Sequence, residues 1–217
     1  MGYRWKSADG ERLKLLKCSF IEGPILHRLK YGKGRGRNLA KAVGLKSNKN
    51  RVIIDATAGL GYDAFILASL GADVTLIERS EKIHKLLQDG LKEAKEYGGY
   101  ISTIVNRMNL IFGDSKTIIP QLSPEVILVD TMYEDRKKSA LVKNNMRLVR
   151  EIVGPDLDQI ELIKIALECT QNRVVVKQPR YAETRDEITK YSHQILGRTI
   201  RYDVYMKVWV LFICSTF

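Results

Sequence analysis

The stretch Val52-Ile-Ile-Asp-Ala-Thr-Ala-Gly-Leu-Gly61 decides the fold of this chain. Its apolar start predicts a buried strand over residues 51–57, and its two glycines predict a tight turn before a helix over residues 62–70. Such a turn lets a ligand approach the backbone, and the helix start offers unpaired N–H groups. The next apolar run predicts a strand over residues 73–78, whose last residue, Glu78, could accept hydrogen bonds from ribose hydroxyls. The sequence therefore predicts a nucleoside-binding site on a doubly wound α/β sheet.

Strands and helices alternate along the rest of the chain, which predicts a mainly parallel sheet with right-handed crossovers. The apolar run over residues 126–130 is continuous, so we expect this strand to be buried on both faces. Residues 198–205 and 207–214 are expected to form closing antiparallel strands. The other expected strands span residues 108–112 and 173–177, and the other expected helices span residues 38–43, 81–96, 139–153, 156–170 and 183–196.

The composition limits the class of protein. The 217 residues suffice for one α/β domain with a small appendage, and 45% of them are apolar, as in a globular protein. The longest apolar stretch, residues 208–214, is too short to cross a bilayer, and the first residues lack the apolar segment of a secretory signal. The three cysteines show no metal-binding spacing. We therefore expect a cytoplasmic protein with no membrane partner and no metal site.

The positive charge is concentrated at the N-terminus. Residues 1–50, which we call the basic arm, hold 13 Lys and Arg against three Asp and Glu, a net charge of +10 in a chain that carries +11. Residues 51–217, the expected α/β domain, are therefore close to neutral. Residues 27–37 interleave cations with glycines and a tyrosine, which suits phosphate contacts with one ring free to stack on a base. Nucleic acid is the favoured partner, and a solvated basic surface is the alternative.

Four polar segments follow predicted strands. They are residues 55–61, Glu78-Arg79, Asp114-Ser115 and residues 130–133. The carboxyl ends of parallel strands share one edge of the sheet, and ligands bind at that edge. We therefore expect the four segments to line one crevice.

Asp55 bears on the choice of cofactor. Gly59-Leu-Gly61-Tyr-Asp-Ala64 loosely fits a dinucleotide-binding turn, but a carboxylate beside it would repel a pyrophosphate. Asp55 better suits the cationic amino-acid end of S-adenosylmethionine, although it could also cap the glycine turn. A nicotinamide-dependent oxidoreductase would need a proton donor near the hydride acceptor, and no paired His occurs in the crevice segments. S-adenosylmethionine is thus the expected cofactor.

The segment Asp130-Thr-Met-Tyr133 suits methylation of an exocyclic amine. In a nucleobase the amine lone pair is delocalised into the ring, and acceptors around the amine hydrogens favour a more pyramidal nitrogen. Asp130 supplies one acceptor, the next backbone carbonyl can supply another, and Tyr133 can stack on the base. An ordinary loop after a strand is the alternative, because this pattern is common by chance.

Several motifs together resemble one family. Asp55-Ala-Thr-Ala-Gly-Leu-Gly61, Leu76-Ile-Glu-Arg79, Lys138-Ser-Ala-Leu-Val-Lys143 and Arg173-Val-Val-Val-Lys177 are similar to those of the bacterial small-subunit ribosomal RNA guanine-N2 methyltransferases of the RsmJ type. The resemblance implies a class I S-adenosylmethionine-dependent methyltransferase fold, with a Rossmann-like sheet. It also implies methyl transfer to the N2 amine of a guanine in small-subunit ribosomal RNA or the small ribosomal subunit.

The resemblance also implies cofactor contacts, and four positions depart from the family pattern. Tyr62 stands where the family usually has Arg, and Asp114 stands where it has Ser. The family's Asp-Pro-Met-Phe segment is Asp130-Thr-Met-Tyr133 here, so Thr131 replaces Pro and Tyr133 replaces Phe. An RNA-binding relative that has lost catalysis at Thr131 is one alternative, and an amine methyltransferase acting on DNA or a protein is another. The implied contacts are Tyr62, Asp63, Glu78, Arg79, Asp114, Ser115 and Asp130.

The expected site combines these contacts with those inferred from the residues themselves. Asp55 and Gly59 would lie at the methionine end of the cofactor, and Gly61 would be a further cofactor contact. Asp130 and Tyr133 would be the catalytic residues that orient the guanine. The expected RNA-binding residues are Arg28, Lys30, Lys33, Arg35 and Arg37 of the basic arm, with Arg136, Lys137 and Lys138 as either further contacts or an exposed charged loop.

Overall fold

The structure is a computed structural model, and it describes residues 3–6, 13–23, 25–26, 29, 35–45, 51–130, 149, 153, 158–183 and 187–207. Most of the helix expected over residues 139–153 lies outside these ranges. The closing strand expected over residues 207–214 also lies outside them, apart from its first residue.

A seven-stranded sheet forms the centre of the molecule, with strand order β5-β4-β3-β6-β7-β9-β8. The strands from β5 to β7 run parallel, and β9 runs antiparallel to both of its neighbours, β7 and β8. This arrangement confirms the expected mainly parallel sheet with antiparallel closing strands. The strands of this sheet are β3 (Val52–Asp55), β4 (Asp73–Glu78), β5 (Met108–Phe112), β6 (Val126–Val129), β7 (Arg173–Pro179), β8 (His193–Leu196) and β9 (Ile200–Met206).

Helices cover both faces of the sheet. Ile53 of β3 faces a core shared with the first four helices, whereas its neighbour Ile54 faces a second core shared with the last helix. All four residues of β6 are buried, because both faces of this central strand are covered. The helices are α1 (Arg35–Ala42), α2 (Tyr62–Ser69), α3 (Glu81–Tyr97), α4 (Gly99–Val105), α5 (Ser115–Ile118) and α6 (Gln159–Cys169), and a 3-10 turn spans Ile119–Gln121.

Part of the basic arm packs into the first core. Tyr3–Lys6 (β1) and Leu13–Leu16 (β2) form an antiparallel pair, which the sequence analysis does not anticipate. Beyond it, Phe20 is fully buried, and its ring stacks on Phe65 of α2 with centroids 5.0 Å apart. A Cβ atom at Gly90 would lie 2.9 Å from the carbonyl oxygen of Cys18, so a glycine is needed where this segment crosses α3. The arm thus contributes apolar side chains to the core as well as positive charge.

The expected helix over residues 183–196 is wrong. His193–Leu196 is instead strand β8, which pairs with β9 from His193 opposite Val204 to Leu196 opposite Arg201. Within the described residues, β9 therefore pairs with β8, a strand that the sequence does not predict. Pairing along an existing sheet edge, a tertiary effect, overrides the local helical pattern. Helix α4 is also absent from the expectations, although the spacing of its buried Ile101, Ile104 and Val105 is helical.

Candidate cofactor and catalytic site

The turn after β3 lies at the point where the strand order reverses. Ala56 donates a backbone hydrogen bond to Leu128 on one side (2.9 Å), and Ala58 donates to Ile77 on the other (3.1 Å). The chain then turns through Gly59 (φ +53°) and enters α2 through Gly61. Ligands of doubly wound sheets bind in the crevice above such a reversal.

The two glycines of this turn have different surroundings. At Gly61 φ is +68°, and an added Cβ would lie 2.8 Å from Cδ1 of Leu87, so this glycine packs against the core. At Gly59 an added Cβ would meet nothing closer than the Thr57 carbonyl oxygen, 3.9 Å away. Gly59 therefore borders open space where a ligand can approach the backbone.

Glu78 joins the end of β4 to the glycine turn. Its Oε2 accepts a hydrogen bond from the Gly59 N–H (2.9 Å), and its Oε1 accepts one from the Ser80 N–H (2.8 Å). The residue is 7% exposed. Two backbone donors thus fix the carboxylate on the crevice wall, and a carboxylate oxygen can accept more than one hydrogen bond.

Lys177 joins two of the expected site carboxylates. Its Nζ lies 2.5 Å from Asp63 Oδ2 and 2.5 Å from Asp130 Oδ2. Burial disfavours the charged amine, but the charges and hydrogen bonds of Asp130 and Asp63 outweigh this, and the pKa of Lys177 is raised above its ordinary value. The Asp130 backbone N–H also donates to Thr57 Oγ1 at 2.7 Å. Asp130 is thus held through both its side chain and its backbone.

Asp55 lies beside this cluster and is 3% exposed. Its Oδ1 accepts a hydrogen bond from the Thr57 N–H at 3.2 Å, consistent with the capping role considered for it. Burial, followed by the negative charges of Asp63 and Asp130, raises its pKa to about 7, although the Thr57 N–H and Lys177 act in the opposite direction. Asp55 can therefore hold a proton at neutral pH, unlike an ordinary aspartate.

The opposite wall of the crevice is built from α5 and the start of α6. Ser115 Oγ donates to the Ala56 carbonyl oxygen at 2.6 Å, and Asp114 caps α5 by accepting from the Lys116 N–H at 2.9 Å. Arg79 donates to both carboxylate oxygens of Asp158, at 3.0 and 2.9 Å. These contacts connect the ends of β3 and β4 to the starts of α5 and α6 around the crevice.

The crevice is an open groove, and its empty space of about 580 Å³ includes solvent at its mouth. Six of the expected cofactor residues lie on its wall, namely Gly59, Glu78, Arg79, Asp114, Ser115 and Asp130.

The other expected site residues lie elsewhere. Asp63 and Asp55 are not on the crevice wall, but Asp63 shares Lys177 with Asp130, whereas the Tyr62 ring packs edge-on against Phe20 with centroids 6.1 Å apart. Of the expected RNA contacts, Arg35 starts α1 and Arg37 is exposed on it. The expected residues Tyr133, Arg28, Lys30, Lys33, Arg136, Lys137 and Lys138 lie outside the described residues.

Sequence reasoning missed Lys177 as a site residue, although it identified the strand and the motif that end there. A lysine after three buried valines is unusual in a central strand, and it could have indicated a buried acidic partner. Over the described ranges, the structure contains no group of three or more His, Cys, Asp or Glu arranged to hold a metal. The same ranges contain no helix that is both long and apolar enough to span a bilayer.

The fold and the site define a class I S-adenosylmethionine-dependent methyltransferase, through the order of the strands, the turn at Gly59 and Gly61, and Glu78 at the end of β4. A family model for SAM-dependent methyltransferases matches residues 4–207. A crystal structure of a SAM-dependent methyltransferase from Neisseria gonorrhoeae superimposes with a TM-score of 0.71 and 31% identity, covering 91% of this chain and 76% of the other. The expected fold class and cofactor are thus confirmed.

Comparison with curated relatives identifies the family within this class of methyltransferases. The ribosomal RNA small subunit methyltransferase J of Brucella anthropi is 54% identical over 192 residues, which are 88% of this chain and 94% of the relative. The enzyme of that name from Agrobacterium fabrum is 50% identical over 187 residues, or 86% of this chain and 90% of the relative. The chain belongs to the ribosomal RNA small subunit methyltransferase J family, as its motifs predict.

Proposed function

We propose that this protein transfers a methyl group from S-adenosylmethionine to the N2 amine of a guanine in small-subunit ribosomal RNA. The position of Asp130 carries the proposal. Its carboxylate lies on the wall of the cofactor crevice, bound to Lys177, and its backbone is bound to Thr57. Family membership supplies the substrate class, since the relatives are ribosomal RNA small subunit methyltransferases by name.

The crevice residues fit S-adenosylmethionine. Glu78 would accept hydrogen bonds from the ribose hydroxyls, and Asp114 and Ser115 would border the adenine. The open space at Gly59 would admit the methionine end. When bound, the cofactor supplies a methyl group on a positively charged sulfur, which is a good leaving group.

Asp130 would orient the guanine amine. Its carboxylate accepts a hydrogen bond from an amine hydrogen, which directs the nitrogen lone pair toward the methyl group. The Lys177 ammonium group holds this carboxylate in place, and the Thr57 hydrogen bond fixes the Asp130 backbone that leads to the following carbonyl. Placement of the reacting atoms accounts for most of the rate, because the leaving group needs little chemical help.

The basic arm would hold the RNA backbone. Cations spaced by glycines can follow the phosphates, and each phosphate contact adds to the salt dependence of binding. A protein that modifies ribosomal RNA in a bacterium would act in the cytoplasm, on free RNA or on the small subunit. Residues 28–37 of the arm and residues 136–138 are the contacts we propose.

Methyl transfer to small ribosomal subunits from a strain without the native enzyme tests this function. Tritiated methyl groups should enter the RNA and, after digestion to nucleosides, should co-migrate with N2-methylguanosine. Asp130→Ala should abolish incorporation, and Asp130→Asn should retain the fold while losing most of the rate. Binding of S-adenosylhomocysteine without any methyl transfer would favour the RNA-binding relative, and label in another nucleoside would refute the guanine assignment.

A further inference from the structure

The end of β7 and the β8–β9 turn lie on the same edge of the sheet as the crevice. Strand β7 runs parallel to β6, so its last residues lie beside Asp130 at the carboxyl edge. Strand β9 runs antiparallel to β7, so it begins at this edge, with Ile200 opposite Pro179. The Arg180 N–H then donates to the Thr199 carbonyl oxygen at 3.0 Å, which holds the segment after β7 against the turn.

An aromatic side chain stands exposed on this segment. Tyr181 is 86% exposed, the highest value among the exposed large hydrophobic residues of the described chain. The guanidinium of Arg180 lies 5.6 Å from the centre of its ring, and that guanidinium also donates to the carbonyl oxygen of Gly197. A cation anchored to the backbone therefore holds one side of a ring whose remaining surface is in water. Rings and guanidinium planes of this kind stack on unpaired bases.

Two further exposed cations belong to the β8–β9 turn and to the helix anchored on it. Arg198 is exposed in the β8–β9 turn, and Arg37 is exposed in the first turn of α1. Helix α1 is anchored to the same turn, because Asn38 Nδ2 donates to the Leu196 carbonyl oxygen at 3.3 Å. Among the ion pairs of the described ranges, none involves Arg37, Arg180 or Arg198. These charges are thus available to phosphates.

We propose that Arg37, Arg180, Tyr181 and Arg198, which we call the turn surface, bind unpaired nucleotides that flank the target guanine. Tyr181 follows Lys177, the partner of Asp130, by four residues, so the two positions lie at most about 13 Å apart along an extended chain. A few nucleotides of single-stranded RNA span such a distance. The basic arm enters α1 at the turn surface, so one strand of RNA can contact the arm, the turn surface and the crevice in succession.

This inference rests on the proposed function, and it specifies where the substrate lies. Stacking requires unpaired bases, so the turn surface selects a single-stranded region over a duplex. The net charge of residues 51–217 is close to zero. Arg180 and Arg198 therefore form a local positive patch on a nearly neutral domain, and Arg37 of α1 adds to it.

Substitution of Tyr181 tests the turn surface. The probe is deproteinised small-subunit ribosomal RNA that lacks the modification, measured by filter binding in the presence of S-adenosylhomocysteine and by methyl-transfer kinetics. Tyr181→Ala should weaken binding and raise KM for RNA roughly ten-fold, as expected for the loss of one stacked base, with S-adenosylhomocysteine affinity unchanged. Tyr181→Phe should match wild type. Arg198→Ala should reduce the slope of log binding constant against log salt by about 0.7.

Tyr97→Ala is the matched control, because Tyr97 is also an exposed tyrosine but ends α3, at the far end of a helix that starts from the crevice edge. Equal RNA binding by Tyr181→Ala, Tyr97→Ala and wild type would overturn the proposal. Normal binding of Tyr181→Ala to naked RNA with weaker binding to assembled subunits would assign the surface to a ribosomal protein and also overturn it. If the proposed reaction itself were wrong, the wild-type protein would transfer no methyl groups. Filter binding would still show whether the turn surface binds RNA, so the two failures can be distinguished.

Discussion

Replacing Lys177 with methionine should impair methyl transfer by disrupting the placement of Asp130. Methionine has nearly the same length but no charge. Both Asp63 Oδ2 and Asp130 Oδ2 lie 2.5 Å from Nζ, so these oxygens are at most about 5 Å apart, close enough for strong repulsion once the cation is removed. We expect the Asp130 side chain to move, and a displacement of about 1 Å at a reacting group can cost roughly 100-fold in rate.

The same variant should lose stability. Removing one partner of a fully buried ion pair costs about 3–5 kcal/mol, but these three side chains are 19–31% exposed, so we expect about 1–3 kcal/mol. Lys177 has a raised pKa in the fold, so its contribution is fully present below its unfolded pKa and is lost only at more alkaline pH. Between pH 5 and 8 the Lys177 charge in the wild type does not change. The loss of stability in Lys177→Met should therefore increase over this range only because the acidic cluster ionises, and Asp55 in that cluster has a pKa of about 7.

The assay is kcat for methyl transfer to small subunits from pH 6 to pH 9, together with urea unfolding. Lys177→Met should have a low kcat, and the acidic limb of its pH profile should move to higher pH. Without the cation, the carboxylates of Asp55, Asp63 and Asp130 should share a proton up to a higher pH than in the wild type. Lys177→Arg keeps the charge and should restore the wild-type limb, although the bulkier group costs some rate. A Lys177→Met enzyme with wild-type kcat and pH profile would show that Lys177 does not position Asp130.

The other predictions concern the glycine turn and two of the buried acids, Glu78 and Asp55. Glu78→Ala should weaken S-adenosylhomocysteine binding by about 1.5–3 kcal/mol in calorimetry, as for a lost charged hydrogen bond; unchanged affinity would place the ribose elsewhere. Asp55→Asn should stabilise the protein relative to wild type by about 1–3 kcal/mol more at pH 8 than at pH 4, because the folded pKa of about 7 exceeds the unfolded value and ionisation of Asp55 costs stability as pH rises; parallel urea-midpoint curves across that range would contradict this. Gly61→Ala should lower the free energy of unfolding by about 1–2 kcal/mol from its left-handed conformation, with a further loss from the contact with Leu87. Gly59→Ala should show the conformational loss alone and a weaker cofactor affinity, so equal unfolding curves for the two variants would refute the difference in packing.

Short-range patterns predict the elements around the glycine turn. The apolar runs of β3 and β4 are buried strands as expected, and the turn between β3 and α2 contains two glycines of positive φ. These features depend on residues a few positions apart, since periodicity and turn chemistry act locally. The crevice follows from them because parallel strands place their carboxyl ends together, which brings Glu78 and Asp130 to one edge.

The sequence alone thus determined the five parallel strands of the sheet, the crevice edge and the family of this protein, because each is encoded in contiguous motifs. The tertiary structure decided which distant groups meet. Lys177 joins Asp63 and Asp130 across 114 and 47 residues of chain, and β8 is a strand because β9 offers it an edge. Phe20 of the basic arm enters the core for the same reason: contacts between residues far apart in the chain carry no local periodicity, and they form only when packing brings their elements together.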